Sequence, residues 1–562
     1  MNKGVIRSGR TTGPLKRPPN KSFEPFLDIR TNGNSSHEQF LVAGSWSRVW
    51  AVFNRETRTG MTPIPTNSPT KSVTSARRTN DMSPPWRCES ARIGHVTLAL
   101  MIALQATACS TVDSVSQGLF GGGPSAGQQG YVKGFLGQVV ADEPRAALAG
   151  KEVLSAGGNA ADAAVTIALS LGVTLPSRAG LGGGGACVAY SVSRKNAAGG
   201  TPESILFVSP AVRSVGGGDR PTGVPSLARG VFLLHARHGK LSFDSLVARA
   251  EQLAREGVAV SGAFARDLAL VAGPLLADPG ARAAFGPTGV PLTEGQGMTQ
   301  PELAATFAQI RVAGVGDLHQ GILARRIEQG SGGAGIPIGG ADLRAALPSV
   351  MAPAIVSFGD DKVAFAPTDG GIGAAAGFQA LIQQPANQQA AYTRGLAAAA
   401  RWHQGGISAD QVLNAALPDQ MATPSFPAST TFGALDPNGN AVICAVTMNN
   451  LFGTGRMVPG LGFLAAASPA FVPAPLLAAG LAWNPRKEAF RAAAGGSGQA
   501  GASLAVAVAL SNMLRTQQPM SALVPGPGRA NVISCAGYLP GSEKSCGAVA
   551  DPREPGLAAG GG

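Results

Sequence analysis

The segment that most constrains the fold is FPASTTFGALDPNGNAVICAVTMNNLFGTG, residues 426–455. Residues 431–435 and 441–447 are rich in β-prone side chains. The DPNG sequence between them has proline and glycine at turn positions. This pattern predicts a β-hairpin, and a hairpin of this kind requires a sheet in which to pack.

Polar residues cluster at both open ends of this hairpin. Ser429, Thr430 and Thr431 stand at its entry, and Thr447 and Asn449 stand at its exit. The entry and exit of an antiparallel hairpin lie side by side, so the two clusters should meet in space. Hydroxyl groups gathered in an otherwise apolar segment indicate a functional site, whereas a merely polar strand edge is the structural alternative.

The rest of the chain alternates helical and strand patterns without a regular βαβ order. We predict a strand over 131–140, a helix over 142–158 and a second helix that Asn159 caps. Four consecutive glycines, 182–185, indicate close backbone packing, since no phosphate-binding motif surrounds them. Further amphipathic helices are predicted over 241–257, 263–272 and 299–310. An α+β fold or a layered sandwich follows from this mixture.

The formal net charge of +12 could suggest a nucleic-acid partner. Most of the excess, however, lies in residues 1–92, and the remainder has no basic stripe with interleaved aromatic residues. We therefore predict no nucleic-acid partner.

We predict that the first 130 residues lie outside the folded domain. Residues 1–81 are predicted to be disordered or an incorrectly assigned upstream start. Residues 82–108 have the layout of a signal peptide: arginines, a short apolar run and small residues. A buried helix is the alternative. Cys109 follows Ala-Thr-Ala in a sequence like a bacterial lipobox, and 109–130 resembles a flexible tether. An exported bacterial protein, periplasmic or anchored to the outer membrane through Cys109, is expected.

The six cysteines form no C-x-x-C pair, and no H-E-x-x-H motif occurs, so neither a metal nor another cofactor is predicted. Cys535 and Cys546 flank a Gly/Pro-containing loop and could form a disulfide in an oxidising compartment. Cys187 and Cys444 are interpreted as buried thiols.

A hydroxyl nucleophile near residue 430 would need a base, and no histidine stands nearby. No G-x-S-x-G motif offers another nucleophile. One chemical solution is cleavage of the chain just before the hydroxyl residue. The freed α-amine has a pKa of about 8, compared with about 10.4 for lysine, and can accept the hydroxyl proton.

The segments GGNAADAAVTIALSLGVTLPSRAGLGGGG (157–185) and NNLFGTG (449–455) resemble motifs of the γ-glutamyltranspeptidase family. The similarity runs from about residue 132 to the C-terminus. It implies an N-terminal-nucleophile hydrolase with a four-layer αββα sandwich. It also implies a precursor that cuts itself into a large part (131–428) and a small part (429–562). Such enzymes pass a γ-glutamyl group from glutathione or a related amide to water or an amino acid.

The resemblance also implies roles for individual residues. The family nucleophile falls on Ser429, with cleavage between Ala428 and Ser429; a shift of one residue would make Thr430 the nucleophile. Thr447 matches the hydroxyl that supports the nucleophile's amine. Asn449 matches an asparagine of the substrate site.

Gly498, in GGSGQAG, matches the glycine turn whose N–H groups stabilise a tetrahedral anion. The groups that would bind a γ-glutamyl head group are missing from 206–210, 463–468 and 475–480. An acylase for a different amide is therefore an alternative. A catalytically decayed envelope lipoprotein that acts as a binding or scaffold module is another.

Overall fold

The structure is a computed structural model. It describes residues 134–192, 199–213, 218–417, 428–518, 524 and 526–560. The N-terminal extension, signal peptide, tether and Cys109 of the sequence interpretation lie outside these residues. Of the helices described, none is both long and apolar enough to cross a membrane.

The strands follow one another along the chain. They are β1 (Gln138–Ala141), β2 (Gly184–Tyr190), β3 (Glu203–Phe207), β4 (Val258–Ala259), β5 (Gly297–Met298), β6 (Ser349–Met351), β7 (Ala354–Phe358), β8 (Asp361–Phe365), β9 (Thr430–Leu435), β10 (Ala441–Thr447), β11 (Ala478–Asn484), β12 (Ala489–Ser497), β13 (Arg529–Leu539), β14 (Cys546–Val549) and β15 (Leu557–Gly560).

The α-helices lie between and around these strands. They are α1 (Pro144–Ser155), α2 (Ala160–Thr174), α3 (Leu227–His238), α4 (Phe243–Glu256), α5 (Gly262–Leu275), α6 (Pro279–Phe285), α7 (Pro301–Ala313), α8 (Asp317–Gln320), α9 (Ile322–Ser331), α10 (Gly340–Ala345), α11 (Asp369–Gln383), α12 (Gln388–His403), α13 (Ala409–Asn414) and α14 (Ala502–Thr516). Two 3-10 turns span Gln499–Gly501 and Glu543–Ser545.

Two large antiparallel sheets form the centre of the described residues. One has seven strands in the order β15-β1-β9-β10-β2-β3-β6, and the other has six in the order β14-β13-β12-β11-β8-β7. The short strands β4 and β5 pair separately. In both large sheets, strands from before and after residue 429 are hydrogen-bonded neighbours. The large and small parts are therefore interleaved in one fold and are not separate domains.

Alternating side chains divide the core into layers. Ile443 of β10 and Ile533 of β13 belong to the cluster between the two sheets. Their neighbours Cys444 and Val532 belong to the clusters that pack against helices on the outer faces. Strand side chains alternate between the two faces of a sheet, so each sheet contacts the other sheet on one face and helices on the other. This is the four-layer αββα sandwich that the resemblance implied.

Local sequence signals account for several elements. Helix α1 lies within the predicted 142–158 segment. Asn159 caps α2 and forms a capping box with Asp162, as the sequence indicated. The glycines at 182–185 pack closely: a Cβ on Gly184 would lie 2.2 Å from the carbonyl oxygen of Phe207. Gly184 and Gly185 are the first two residues of β2.

Two disulfides join neighbouring antiparallel strands. Cys535 of β13 is bonded to Cys546 of β14. Cys187 of β2 is bonded to Cys444 of β10, directly opposite each other in the register. The interpretation of Cys187 and Cys444 as buried thiols is therefore wrong. They are 257 positions apart in sequence, and only the pairing of β2 with β10 brings them together.

Candidate active site

Asp436 fixes the turn of the β9–β10 hairpin. Its Oδ1 accepts hydrogen bonds from the backbone N–H groups of Asn438 (2.9 Å) and Asn440 (3.1 Å). Its Oδ2 accepts one from the backbone N–H of Ala160, at the start of α2, at 3.3 Å. Burial raises the pKa of Asp436, although these hydrogen bonds oppose the rise. These bonds connect the turn to α2. They also fix the register of β9 with β10, which places residues 428–431 beside Thr447.

Two of the three entry hydroxyls point into a buried polar network. Thr430 Oγ1 donates to Asp142 Oδ2 at 2.8 Å, and the backbone N–H of Thr431 donates to the same oxygen at 3.2 Å. Asn531 Nδ2 donates to Asp142 Oδ1 at 2.7 Å, and to both the carbonyl oxygen and Oγ1 of Thr431 at 3.0 Å. These residues are almost completely buried. The Thr430 hydroxyl is therefore held by Asp142, a residue that sequence reasoning missed.

Ser429 faces a different environment. It precedes β9 and borders a cavity of about 340 Å³. Its exposed fraction is 3%, so its side chain is largely screened from bulk solvent. The residues that line the cavity are Arg178, Asp267, Leu270, Ala428, Ser429, Asn450, Leu451, Val472, Pro473, Gly498, Gln499, Pro527 and Arg529. Of the three entry residues, Ser429 is the one that lines this cavity.

Thr447 joins the exit of the hairpin to its entry. Its Oγ1 donates to the carbonyl oxygen of Ala428 at 2.7 Å and accepts from the backbone N–H of Asn449 at 3.0 Å. The two polar clusters therefore meet, as the hairpin geometry predicts. The contact is made at the carbonyl of the Ala428–Ser429 peptide bond.

Asn449 is fully buried and has a left-handed backbone conformation, with φ of +59°. Its Nδ2 donates to the carbonyl oxygens of Ser209 (3.3 Å) and Ala467 (3.0 Å). The side chain thus connects the two segments in which the γ-glutamyl-binding groups are missing. The neighbouring Asn450 lines the cavity, a placement that sequence reasoning missed.

Gly498 forms a sharp turn on the wall of the same cavity. Its φ is +94°, and a Cβ at this position would lie 2.0 Å from the carbonyl oxygen of Pro527. The 3-10 turn Gln499–Gly501 follows and leads directly into α14. The first N–H groups of a helix have no partner within the helix and carry a partial positive charge. This turn therefore places a helix N-terminus beside the cavity of Ser429.

An arginine-rich cluster forms another wall. Arg178 donates from Nε and Nη2 to the two carboxylate oxygens of Asp267, at 2.7 and 2.8 Å. Its Nη1 lies 3.5 Å from Glu554 Oε1. Glu554 also pairs with Arg529, at 2.5 Å, and with Arg266. Burial alone would lower the pKa of Arg178, but the bonds and charge of Asp267 raise it above its ordinary value. Arg178 is therefore cationic.

Sequence reasoning missed this cluster as well. Arg178 stands within the glycine-rich block 157–185. That position was the one feature of the sequence that could have indicated a functional role for this arginine. In the described residues, no group of three or more His, Cys, Asp and Glu side chains could hold a metal ion.

Residues 146–404 match the family described as Gamma-glutamyltranspeptidase. Over this range the chain is similar to that family. The match ends before residue 428 and therefore does not include Ser429, Thr447 or Gly498.

Two glutathione hydrolases are among the proteins to which the chain is similar. "Glutathione hydrolase 2" of Arabidopsis thaliana is 35% identical over 185 residues, which cover 31% of this chain and 32% of that protein. "Glutathione hydrolase proenzyme" of Bacillus subtilis (strain 168) is 31% identical over 206 residues, which cover 34% and 35%. The chain thus spans about a third of the length of the curated relatives that it matches.

The fold is similar to that of a cephalosporin acylase from Bacillus halodurans. The TM-score is 0.62 at 17% sequence identity, and the alignment covers 78% of this chain and 98% of the acylase. This similarity covers most of the chain and supports the fold described above.

Proposed function

We propose that this chain is a self-processing amide hydrolase and acyltransferase with Ser429 as its nucleophile. The observation that carries the proposal is the position of Ser429 on the cavity wall, while Thr447 Oγ1 binds the carbonyl oxygen of Ala428 at 2.7 Å. Thr430 is the weaker candidate for nucleophile because its hydroxyl is engaged by the buried Asp142.

The first step is cleavage of the Ala428–Ser429 bond. Ser429 Oγ attacks the carbonyl carbon of Ala428, and negative charge develops on the oxygen to which Thr447 donates. The C–N bond breaks, the acyl group moves to Oγ, and the nitrogen becomes an amine. Water then hydrolyses the ester, which leaves a carboxylate on Ala428 and a free α-amine on Ser429. The Thr447 hydroxyl would next support that amine.

The second step uses the freed amine as a general base. It accepts the proton of Ser429 Oγ while Oγ attacks the carbonyl carbon of an amide substrate. The N–H groups at the turn after Gly498 would stabilise the tetrahedral oxyanion. The amine leaves with a proton, and water or an amino acid takes the acyl group from Oγ. The similarity to glutathione hydrolases supports glutathione or a related amide as the donor.

The proposed location is the bacterial envelope, on the strength of the signal-like segment 82–108 and the lipobox-like Cys109. Lipid attachment at Cys109 would be the protein's only direct contact with the membrane. The proposed partners are the small amide substrate, its acceptor, and the large and small chains of one precursor.

Self-cleavage tests the proposal. The purified wild-type protein should separate into two chains on a reducing gel, and N-terminal sequencing of the smaller chain should begin at Ser429. Ser429→Ala should leave one intact chain. Thr430→Val is the matched control and should still be cut at the same bond. A wild-type chain that stays intact, or a smaller chain that begins at Thr430, would contradict the proposal.

A further inference from the structure

The cavity of Ser429 has an excess of positive charge on one wall. Three guanidinium groups, those of Arg178, Arg266 and Arg529, surround the two carboxylates of Asp267 and Glu554. Arg178 and Arg529 line the cavity, whereas the side chain of Arg266 is 56% exposed. Of the charged side chains that line the cavity, those of Arg178 and Arg529 are cationic and that of Asp267 is anionic. Glu554 and Asp142 act on Arg178 from outside the lining.

The same two arginines retain donors that the described residues do not satisfy. Arg529 Nε is buried and has no hydrogen-bond partner within the described part of the chain. Arg178 Nη1 is buried too, and its one contact given there is the ion pair with Glu554 Oε1 at 3.5 Å. The Arg178 side chain is only 7% exposed. Buried donors without partners carry a free-energy cost, and a carboxylate is the ligand that matches the fork of N–H groups on a guanidinium.

The cavity offers no corresponding group for an ammonium. Asp267 is the one carboxylate among its described lining residues. Its Oδ1 accepts from Arg178, and its Oδ2 accepts from both Arg178 and Ser177. An α-ammonium placed here would lack a free carboxylate and would be repelled by Arg178 and Arg529.

The remaining wall is apolar. Leu270, Leu451, Val472 and Pro473 line it, and Leu270 is 76% exposed. An exposed leucine beside a cavity can cover a short methylene chain when a ligand binds.

We infer that the substrate is an amide whose acyl part is a short aliphatic chain with a terminal carboxylate and no α-ammonium. The carboxylate binds Arg529 and Arg178, the methylene groups contact Leu270 and its apolar neighbours, and the scissile carbonyl meets Ser429. This inference rests on the proposed function, because it assigns a substrate class to the same nucleophile.

Three p-nitroanilides that differ only in the acyl group test this assignment. The γ-glutamyl compound has a carboxylate and an ammonium, the glutaryl compound lacks the ammonium, and the pentanoyl compound lacks both. In each turnover Ser429 Oγ bonds to the acyl carbon, the C–N bond breaks, and p-nitroaniline leaves with a proton. Water then releases the acid. For self-cleaved wild-type protein we expect kcat/KM for the glutaryl compound to exceed the other two by about tenfold or more.

Variants assign the preference to the arginine. Arg529→Gln should reduce the ratio of glutaryl to pentanoyl kcat/KM by about tenfold, and Arg529→Lys should restore part of it. Arg486→Gln removes a guanidinium whose side chain is 82% exposed, and it should leave the ratio unchanged. Inhibition of the wild-type enzyme by glutarate, with pentanoate as the control, gives a readout that does not depend on folding of the variants.

The outcomes separate the two proposals. A chain that is never cut overturns the proposed function and this inference with it. A chain that is cut at Ser429 but prefers the γ-glutamyl compound, treats glutaryl and pentanoyl compounds alike, or hydrolyses none of the three overturns only the substrate assignment.

Discussion

Cys187 and Cys444 are bonded to each other across β2 and β10, and the Ala428–Ser429 bond lies between them in the chain. Cleavage at that bond would therefore leave the large and small parts covalently joined. The interleaved strands of both sheets hold the same two parts together without covalent bonds.

The Cys187–Cys444 disulfide should hold the two parts together after self-cleavage. Self-cleaved protein should run as a single species on a denaturing gel without reductant and as two species with reductant. Cys444→Ser should give two species under both conditions, whereas Cys546→Ser should behave like the wild type because Cys535 and Cys546 both follow Ser429. Separation of the unreduced wild-type chains would contradict the link.

Asp142 should control self-cleavage through Thr430. Its carboxylate holds the Thr430 hydroxyl, the Thr431 N–H and the Asn531 amide. Asp142→Asn replaces one carboxylate oxygen with an NH₂ group, so at least one of these three donors loses its acceptor. We expect a loss of about 2–4 kcal/mol in the free energy of unfolding. The rate of chain cleavage, followed on reducing gels, should fall at least about tenfold, because the entry to β9 is no longer fixed.

The control for this prediction is Asp360→Asn, since Asp360 lies in an ion pair in which its side chain is 72% exposed. That substitution should change neither stability nor cleavage measurably. An Asp142→Asn variant that is cut at the wild-type rate would show that the network does not position Ser429.

Gly498 should tolerate no side chain. Gly498→Ala would place a Cβ 2.0 Å from the carbonyl oxygen of Pro527 in a backbone with φ of +94°. The turn must shift, and we expect kcat of the cleaved enzyme to fall by about 10²-fold, the scale seen when one oxyanion donor is lost. Gly273→Ala, where nothing lies within 4 Å of the added Cβ, should retain activity. Equal kcat for the two variants would exclude this turn from catalysis.

Glu203 should make stability depend on acid pH. Burial alone raises the pKa of Glu203, but hydrogen bonds and charges from His238 and Arg237 lower it to about 2, from 4.5. A carboxylate whose folded pKa is depressed stabilises the protein above its unfolded pKa. That stability is lost as the pH falls from about 4.5 to about 2.

Urea unfolding of the wild type and Glu203→Gln measures this contribution. At pH 7 the variant should be less stable by about 1–3 kcal/mol, a range reduced because Arg237 is partly exposed to solvent. The difference should shrink as the pH is lowered through the same window. A difference that is constant from pH 7 to pH 3 would rule out this coupling.

The sequence by itself determined the features that depend on neighbouring residues. The capping box of Asn159 and Asp162 and the hairpin turn at Asp436 are set within a few positions, because short-range hydrogen bonds and restricted backbone angles decide them. The resemblance of 157–185 and 449–455 to a known family supplied the layered architecture and located the candidate nucleophile at Ser429 or Thr430.

Only the tertiary structure decided which groups meet around that nucleophile. Asp142 reaches Thr430 across 288 positions because β1 pairs with β9. Asn531 joins the same network from the other sheet. Arg178 and Glu554 form an ion pair although they are far apart in the sequence. Such contacts have no periodicity or spacing in the sequence. They follow from strand order and from the stacking of two sheets, which are set by burial of the whole core.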